Sequence, residues 1–332
     1  METRGKAADC MLPPKGKIVA YLALKDKPSL AVRTGAINAG HTIVYGSREY
    51  KLRIIPSAFV SKETRLLIAP GALFSISTFM KEIENTDVKN RICVDYNSGI
   101  MSDEHVSREK GDEHLMKKIG STGSGVGTAM VDRVLRSLKL AKDYPELSPF
   151  LTNVAEEVNA ALDRGEAILL EGTQGLYLSL YHGTYPYVTS RDVTASAVCS
   201  EVGVGPRRVD EVIVVLKAYV TRVGEGPLEG ELSEEEAAKR GWLEVATVTG
   251  RKRRAAPFNF KMARRAVKIN SASQVAITKL DTVFKGAYGL KDFEKLPLEA
   301  KEFIEEVEEE VGVPVTLIST GPDVYQVIDR RS

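Results

Sequence analysis

Apolar residues in this chain fall into two kinds of pattern that alternate with each other. Six short runs are continuously apolar, which is typical of strands covered on both faces of a parallel sheet. These predicted strands are residues 66–69, 91–94, 167–170, 211–216, 274–277 and 314–318. Between them, helical spacing of apolar residues predicts helices at about 75–85, 126–142, 150–163, 233–240, 259–268 and 297–310. The alternation predicts a doubly wound α/β fold, with a mostly parallel central sheet and helices on both faces.

The composition of the 332 residues narrows the class of protein. A hydrophobic fraction of 43% is enough for a sizeable core, and 46 Lys and Arg against 45 Asp and Glu argue against a nucleic-acid partner. The cysteines Cys10, Cys93 and Cys199 show no CxxC spacing, so neither a zinc site nor a disulfide framework is indicated. Apolar runs are too short for a membrane span, and no secretory signal is visible. We therefore expect a cytoplasmic protein without a membrane partner.

Several short polar segments carry candidate chemistry, and most of them directly follow a predicted strand, where open α/β sheets bind ligands. In segment 38–42 (Asn-Ala-Gly-His-Thr), Gly40 lets the backbone approach a phosphate, and His41 can exchange a proton near neutral pH. A structural histidine in a turn is the competing interpretation, and this segment taken alone favours it.

Two glycine-containing segments have residue types that can bind an anion and a nucleobase. Segment 119–127 precedes a predicted helix that bears Arg133 and Arg136, and such a helix start binds anions well, although a flexible loop explains the pattern equally. In segment 171–175, the amide of Gln174 can hydrogen-bond a base edge, but a tight turn after the strand is the stronger local interpretation. Segment 183–192 combines aromatic, proline and hydroxyl residues and indicates a pocket wall or a structural loop.

Two charged segments complete the set of candidates. Segment 249–254 places four cations behind a Thr-Gly pair; a solvated charged face is the usual meaning of such a run, and an anion clamp is the alternative that the Thr-Gly pair supports. In segment 278–281, Lys279 and Asp281 end a predicted strand. A carboxylate there can accept hydrogen bonds from a guanine while the lysine stem lies along the ring; a strand-end ion pair is the alternative. Segment 319–323 supplies further donors at the same edge of the sheet.

In their order and flanks, these segments resemble the adenylosuccinate synthetase family, whose members join IMP and L-aspartate using GTP. Segments 182–189 and 217–227 add long, specific matches, and the resemblance runs from about Lys15 to Arg331. The length is similar to the compact form of the family typical of archaea. The resemblance implies a P-loop-NTPase-like architecture, magnesium with GTP as co-substrate, and a two-step reaction. GTP phosphorylates O6 of IMP, and the aspartate amine then displaces that phosphate.

The resemblance also implies roles for individual residues. His41 matches the general acid, and the Gly40 carbonyl matches a magnesium ligand. Residues matched to IMP contacts are Asn38, Ala39, Gly40, His41, Thr122, Arg136, Gln174, Thr189 and Arg251. Those matched to the aspartate loop are Thr247, Val248, Thr249, Gly250, Arg251, Lys252 and Arg253. Those matched to GTP contacts are Lys15, Gly16, Lys17, Gly40, His41, Thr42, Arg253, Lys279, Leu280, Asp281, Ser319, Thr320 and Gly321. Arg136 matches an arginine that reaches the IMP of a neighbouring subunit, which implies a homodimer.

The first fourteen residues depart from the family pattern. Members begin with a hydrophobic strand and Gly-Asp-Glu-Gly-Lys-Gly-Lys, in which the Asp removes the N1 proton of IMP and binds magnesium. Here Leu12 stands in the place of that Asp and Pro14 in the place of a Gly, while residues 1–9 are too polar for a buried strand. We therefore expect a divergent or mis-translated segment at 1–14, with the first strand and phosphate loop degraded, and a single domain at 15–332.

Three explanations of this departure remain open. The first is a wrong start or frame error ahead of an otherwise ordinary enzyme, and the abrupt onset of similarity at Lys15 favours it. The second is a relative that takes a guanine nucleotide in place of IMP, as some phage relatives lacking the carboxylate do. The third is a protein that binds GTP and IMP without turnover, because a leucine cannot take a proton and losing a positioned base costs roughly 100- to 10,000-fold in rate.

Overall fold

A long twisted sheet forms the centre of the molecule. The computed structural model of the chain describes the backbone of residues 5–10 and, with side chains, residues 15–246 and 250–331. The strands in this part of the chain are β1 (Gly5–Cys10), β2 (Leu30–Arg33), β3 (His41–Tyr45), β4 (Arg48–Leu52), β5 (Arg65–Ile68), β6 (Leu73–Phe74), β7 (Ile92–Asp95), β8 (Gly99–Ile100), β9 (Leu151–Thr152), β10 (Ile168–Glu171), β11 (Glu211–Lys217), β12 (Tyr219–Arg222), β13 (Arg254–Pro257), β14 (Gln274–Thr278), β15 (Val315–Ser319) and β16 (Val327–Asp329).

Ten of these strands pair in the order β16-β15-β14-β11-β1-β10-β2-β5-β7-β9. Every neighbouring pair is parallel except β15–β16 at one edge. The remaining strands form three small pairs, β3–β4, β6–β8 and β12–β13. Because parallel strands end at the same side of a sheet, the segments after β2, β10, β11, β14 and β15 all emerge at one edge.

Helices cover both faces of the sheet. They are α1 (Lys15–Asp26), α2 (Ile76–Thr86), α3 (Asp103–Gly111), α4 (Val126–Val134), α5 (Val154–Asp163), α6 (Ala195–Val202), α7 (Glu234–Arg240), α8 (Phe260–Asn270), α9 (Leu280–Val283) and α10 (Leu298–Val311). A π-helical turn lies at His114–Ile119. None of the described helices has both the length and the apolar composition that a membrane crossing requires.

The alternation of side chains along β11 shows how the two faces divide. Ile213 and Val215 are buried with α1, α2 and α4, whereas Val214 and Leu216 are buried with α8 and α10. A third buried cluster packs α5 and α6 against β2 and β10. The prediction of a doubly wound α/β fold is therefore confirmed, and the six predicted strands occur within a residue or two of their expected positions.

The first strand is a correction to the sequence analysis, which expects residues 1–9 to be too polar for a central strand. The backbone of β1 nevertheless runs parallel between β10 and β11, with Ala7 opposite both Leu170 and Val212. Ladder hydrogen bonds are made by the backbone, so this position in the sheet depends less on side-chain polarity than the pattern suggests. Residues 11–14, including Leu12, lie outside the described part of the chain.

Helix α4 is a second correction, because it ends at Val134 instead of continuing to about residue 142. Arg136 has a left-handed backbone with φ of 63°, and the amides of Ser137 and Leu138 turn back to the carbonyl of Asp132. Leu135, Leu138 and their neighbours keep helical spacing in the sequence, which is why periodicity alone extends the helix too far. The pattern also misses α1 and the short strand β2.

The fold makes a direct prediction about the aromatic cluster beside α2. Phe79 is fully buried, with its ring centroid 5.4 Å from that of Phe74 and 5.3 Å from that of Phe150. We expect Phe79→Ala to lower the free energy of unfolding by about 3–5 kcal/mol, because it leaves a cavity in the core. Urea denaturation measures the change, with Leu298→Ala at an exposed position expected to stay within about 0.5 kcal/mol of the parent protein. Equal effects of the two substitutions would contradict this account of the core.

Candidate active site

The loops at the carboxyl edge of the sheet enclose a cleft of about 360 Å³, within the size range of small-molecule sites. Ten of the candidate residues line this central cleft: Lys15, Gly16, Asn38, Ala39, Gly40, His41, Thr122, Gln174, Thr189 and Arg253. Residues 185–190 form one wall, which confirms the pocket-wall interpretation of that segment. Segments far apart in the sequence are thus brought to one place by the ends of β2 and β10 and the start of α1.

Glycines permit the close approach of these loops. Gly35 has φ of +135°, and a Cβ there would lie 2.2 Å from the Thr173 side chain, so the loop after β2 packs directly on the loop after β10. A Cβ at Gly16 would lie 3.0 Å from Ser57 Oγ and 3.1 Å from the His41 side chain. Only glycine therefore lets the start of α1 contact His41 without displacing it.

A buried ion pair supports the floor of the cleft. Arg33, the last residue of β2, pairs with Glu171, the last residue of β10, and both side chains are almost fully buried. Arg33 Nη2 also donates to the carbonyl of Ala39 at 3.2 Å, while Glu171 accepts from the amide and the hydroxyl of Ser57, each at 2.7 Å. The sequence analysis misses Arg33; a charged residue ending an apolar strand is the signal that could have found it.

Several buried polar atoms on the cleft wall have no hydrogen-bond partner in the described structure. They are Lys15 Nζ, Arg33 Nε, Asn38 Oδ1, Gln174 Oε1 and Ser190 Oγ. Buried polar groups are nearly always paired in folded proteins, because an unpaired one keeps its full desolvation penalty. So many in one cleft indicate a polar ligand that supplies both donors and acceptors.

The electrostatics of the cleft act on His41. Burial, together with the positive charges of Arg33 and Lys15, holds the pKa of His41 well below its usual value of 6.5. The imidazole is therefore neutral at pH 7 in the empty cleft, with one N–H to donate and one nitrogen to accept. A bound anionic phosphate would raise this pKa and favour the protonated ring.

Arg251 lies at a second cavity of about 600 Å³ beside the central cleft. Ser121 and Thr122 line both cavities, so the two are adjacent. Arg251 Nη1 donates to the carbonyls of Gly120 at 2.9 Å and Ser121 at 3.3 Å, and thereby positions the glycine-rich loop that carries Thr122. These two hydrogen bonds are to protein backbone, one step removed from the cleft.

The residues expected to hold a guanine lie together around the ends of β14 and β15; we call them the base region. Lys279 has a left-handed backbone with φ of 62° and precedes α9, in which Leu280 is buried and Asp281 lies in the first turn. The amide of Gly289 donates to the carbonyl of Thr320 at 2.8 Å. The base region consists of Lys279–Asp281 and Ser319–Gly321, which follow the ends of two paired parallel strands in which Ile277 lies opposite Ile318.

Strand β3 connects the base region to the central cleft. It begins with His41 and Thr42, and its Val44 carbonyl accepts from the amide of Val324 at 2.9 Å. An isolated bridge pairs Val44 with Asp323. His41 begins this short strand, and Val44 near its other end contacts the segment that follows Ser319–Gly321.

Lys17 faces the base region, although the sequence analysis groups it with the cleft residue Lys15. Its Nζ donates to Ser319 Oγ at 2.8 Å, the Gly321 carbonyl at 2.6 Å and the Gln326 carbonyl at 2.7 Å. All three ammonium hydrogens are thereby used inside the protein. Burial lowers the pKa of Lys17 to about 7, although the carboxylates of Asp281 and Asp323 oppose the shift.

Some predicted site residues lie away from the cleft or outside the described residues. Arg136 is at the exposed end of α4, and Lys252 forms an exposed ion pair with Glu234. Gly250 is exposed, and Thr247, Val248 and Thr249 lie outside the described part of the chain. In the described residues no cluster of three His, Cys, Asp or Glu side chains could hold a metal. Gly40, whose carbonyl is the predicted magnesium ligand, lines the cleft.

A family model described as adenylosuccinate synthetase matches residues 14–143 and 137–287 of the chain. The adenylosuccinate synthetase of Methanocaldococcus jannaschii is 53% identical over 322 residues, covering 96% of this chain and 93% of that protein. The chain belongs to the adenylosuccinate synthetase family. The enzymes of Archaeoglobus fulgidus and Thermococcus onnurineus are 53% and 51% identical, each over 96% of this chain and 94% and 95% of their own lengths.

Solved structures agree with this family at the level of the fold. Fully ligated adenylosuccinate synthetase from Plasmodium falciparum superposes with a TM-score of 0.89 at 22% identity, covering 99% of this chain and all of that one. The succinoaminodeoxyadenylate synthetase of cyanophage S-2L, bound to dGMP and to dATP as an energy donor, gives 0.82 at 24% identity over 100% and 97% of the two chains. The family resemblance of the sequence is confirmed. The single-domain assignment and the roles of individual residues stay predictions.

The contacts of Lys17 predict a pH effect on binding of a guanine nucleotide. Below pH 7 the ammonium has three donors for its three acceptors, and as the pH rises through about 7 it loses one proton and one donor. We expect GDP affinity to fall by roughly 3- to 10-fold between pH 6 and pH 8.5 relative to Lys17→Met, which lacks this titration. Calorimetric titration measures both proteins, and the comparison cancels the titration of GDP itself.

Lys25→Met is the matched control, since Lys25 lies on the exposed side of the same helix. It should follow the pH profile of the parent protein. Superimposable profiles for the parent protein and Lys17→Met would rule out a role of Lys17 in shaping the base region.

Proposed function

We propose that this chain ligates IMP to L-aspartate with cleavage of GTP, and forms adenylosuccinate, GDP and phosphate. The observation that supports this most directly is the set of buried polar atoms of Lys15, Asn38 and Gln174 in the central cleft, which have no hydrogen-bond partner among the described residues. A purine monophosphate offers ring acceptors, a ring N–H and phosphate oxygens, and so complements those atoms in kind. The base region at the other end of β3 provides a separate place for a guanine.

The two bound nucleotides define the first chemical step. With the guanine at Asp281 and Lys279, the triphosphate extends along the start of α1 towards Lys15 and His41. The γ-phosphoryl group is transferred from GTP to O6 of IMP, and GDP leaves. Lys15 Nζ, which is buried and unpartnered, neutralises charge on the transferring group, and His41 donates its N–H to the same oxygen atoms.

The second step makes the new C–N bond. The amine of aspartate attacks C6 of the phosphorylated IMP, and phosphate leaves with the O6 oxygen. Residues 247–253 hold the aspartate carboxylates. Arg253 lies on the cleft wall and supplies a positive charge to them. His41 becomes the proton donor to the leaving phosphate, because the bound anions raise its pKa from the low value of the empty cleft.

The residues present supply only part of a magnesium site. The Gly40 carbonyl can serve as one oxygen ligand, but the described cleft has no cluster of acidic side chains for the metal. Magnesium in phosphoryl-transfer sites is held largely by phosphate oxygens and water, so nucleotide binding can complete the coordination. Bound there, the metal would neutralise charge between the transferring phosphates.

Residue 12 decides which reaction the chain performs at a useful rate. In the family, the aspartate at this position takes the N1 proton of IMP, and Leu12 cannot. The specific alternative is that the chain takes a guanine nucleotide in place of IMP. The phage synthetase bound to dGMP shares the fold. Purified protein incubated with GTP, aspartate, magnesium and either IMP or dGMP tests the two acceptors directly.

We expect the triple substitution Leu12→Asp, Pro13→Glu, Pro14→Gly to raise adenylosuccinate formation from IMP by about 100-fold or more, since it restores a general base and backbone donors. The matched control carries Leu12→Asn in the same background, which keeps the shape of the side chain without its basicity. Product is quantified by chromatography. Equal rates with the Asp and Asn variants would show that residue 12 is no base. Failure of both to form adenylosuccinate while GTP and IMP bind would refute the proposed function.

We also propose that the active form is a homodimer in which Arg136 binds the IMP of the partner subunit. Val131, Val134 and Leu135 next to Arg136 are 51%, 68% and 67% exposed, an apolar patch at the end of α4 of the kind that marks protein interfaces. Arg136 lies outside the lining of its own subunit's central cleft.

Mixing two weak variants tests the exchange of Arg136 between subunits. In a mixture of Arg136→Ala and His41→Ala, a heterodimer has one site with both residues intact, so activity should recover to about a quarter of the parent level. His41→Ala mixed with Gln174→Ala is the control and should stay inactive, because neither heterodimer site is complete. No recovery in the first mixture, with exchange verified by differently tagged subunits, would exclude the cross-subunit role.

A further inference from the structure

Glu244 lies at the centre of a buried charged cluster, and the proposed reaction assigns no role to Glu244 itself or to its partners Lys217 and Tyr219. Its Oε1 and Oε2 each accept from Lys217 Nζ at 2.8 Å, and Oε1 also accepts from the hydroxyl of Tyr219 at 2.6 Å. Arg253 Nε lies 3.6 Å from Oε2. The side chains of Lys217 and Arg253 are only 3% and 11% exposed, so the carboxylate is the anion that compensates two buried cations.

The backbone of Glu244 is bonded to the same segment. Its carbonyl accepts from the amide of Arg253 at 2.8 Å, and the amide of Ala246 donates to the carbonyl of Arg251 at 2.9 Å. Val245 and Lys252 form an antiparallel bridge, and the Gly250 amide donates to the Ala246 carbonyl at 2.9 Å. Residues 244–246 and 250–253 thus pair as the two arms of a hairpin, here called the aspartate hairpin.

The cluster adjoins both proposed substrate regions. Lys217 ends β11 and is paired in register with Thr278, the residue just before Lys279 of the base region. The charge of Lys279 acts on Glu244 and Lys217, and that of Asp281 acts on Tyr219. On its other side, Arg253 lines the central cleft. One carboxylate therefore contacts the end of β11, the start of β12 and the aspartate hairpin.

We propose that Glu244 is a positioning residue that holds the aspartate hairpin against β11 and β12 and directs Arg253 into the central cleft, next to the base region. The consequence of this inference, which is aspartate capture, rests on the proposed function. The position of the hairpin does not. The physical reason is that neutralising Glu244 would leave Lys217 and Arg253 buried without an anion, and buried uncompensated charge is strongly unfavourable. The hairpin would move to relieve it.

Two Glu→Gln substitutions, each removing the ion-pair partner of a residue on the aspartate hairpin, provide a matched test. Glu244→Gln removes the buried charge, whereas Glu234→Gln removes the exposed partner of Lys252, whose side chains are 63% and 70% exposed. For Glu244→Gln we expect the KM for aspartate to rise about tenfold or more while the KM for IMP changes less than about twofold. Glu234→Gln should leave both values unchanged.

Hydrogen exchange supplies a readout that needs no turnover. The amides of Ala246, Gly250 and Arg253 are bonded within the hairpin, so their exchange should accelerate in Glu244→Gln and stay unchanged in Glu234→Gln. If Glu244→Gln does not fold, Tyr219→Phe removes one hydrogen bond to the carboxylate and keeps its charge, and should shift the same quantities in the same direction by a smaller factor.

The outcomes separate this inference from the proposed function. Unchanged exchange in the hairpin together with an unchanged KM for aspartate would overturn the role of Glu244. So would equal losses in the KM values for aspartate and IMP together with exchange accelerated throughout the protein, since that is general destabilisation. Absence of adenylosuccinate formation by the parent protein and by its repaired residue-12 variant would refute the function, while the hydrogen-exchange comparison would still decide the position of the hairpin.

Discussion

The buried ion pair of Arg33 and Glu171 is the interaction on which the site most depends. It joins the ends of β2 and β10, and through the Ala39 carbonyl and Ser57 it sets the course of the loops that carry His41. Both charges are out of water, so removing either partner would cost about 3–5 kcal/mol. Arg33 also keeps a cation beside His41, and this contributes to the neutral imidazole of the empty cleft. This one ion pair thus contributes to the sheet, to the geometry of the loops and to the electrostatics of the site.

Buried lysines in the described part of this protein are of two kinds. Some donate hydrogen bonds to acceptors inside the protein, and others do not. Lys17 and Lys217 are saturated by internal acceptors, and each joins two segments that are distant in the sequence. Lys15, two residues from Lys17 on the same helix, is equally buried, but its ammonium has no partner among the residues that the structure describes. Since an unpartnered buried charge is unfavourable in the empty protein, Lys15 is the one suited to a phosphate, while the saturated lysines hold the site in shape.

The start of the chain shows that fold and chemistry depend on different atoms. The backbone of β1 occupies the middle of the sheet, between β10 and β11, although its side chains differ from the apolar pattern of the family. A strand needs mainly a regular backbone and neighbours on both sides, whereas proton transfer needs one carboxylate at one position. A residue such as Leu12 therefore alters the expected rate far more than the expected architecture.

The sequence by itself determined the strand and helix alternation, the family and most of the residues that line the cleft, because continuous apolar strands and short polar motifs such as 38–42 are local signals. It did not determine the end of α4, the orientation of Lys17 or the partnership of Arg33 with Glu171. Nor did it indicate the cluster of Glu244 with Lys217, Tyr219 and Arg253. Apart from the end of α4, which is a local turn, these depend on segments separated by 9 to more than 300 positions along the chain. Such contacts exist only once parallel strands bring those segments to one edge of the sheet, and no local pattern specifies which of two lysines on a helix finds an internal acceptor.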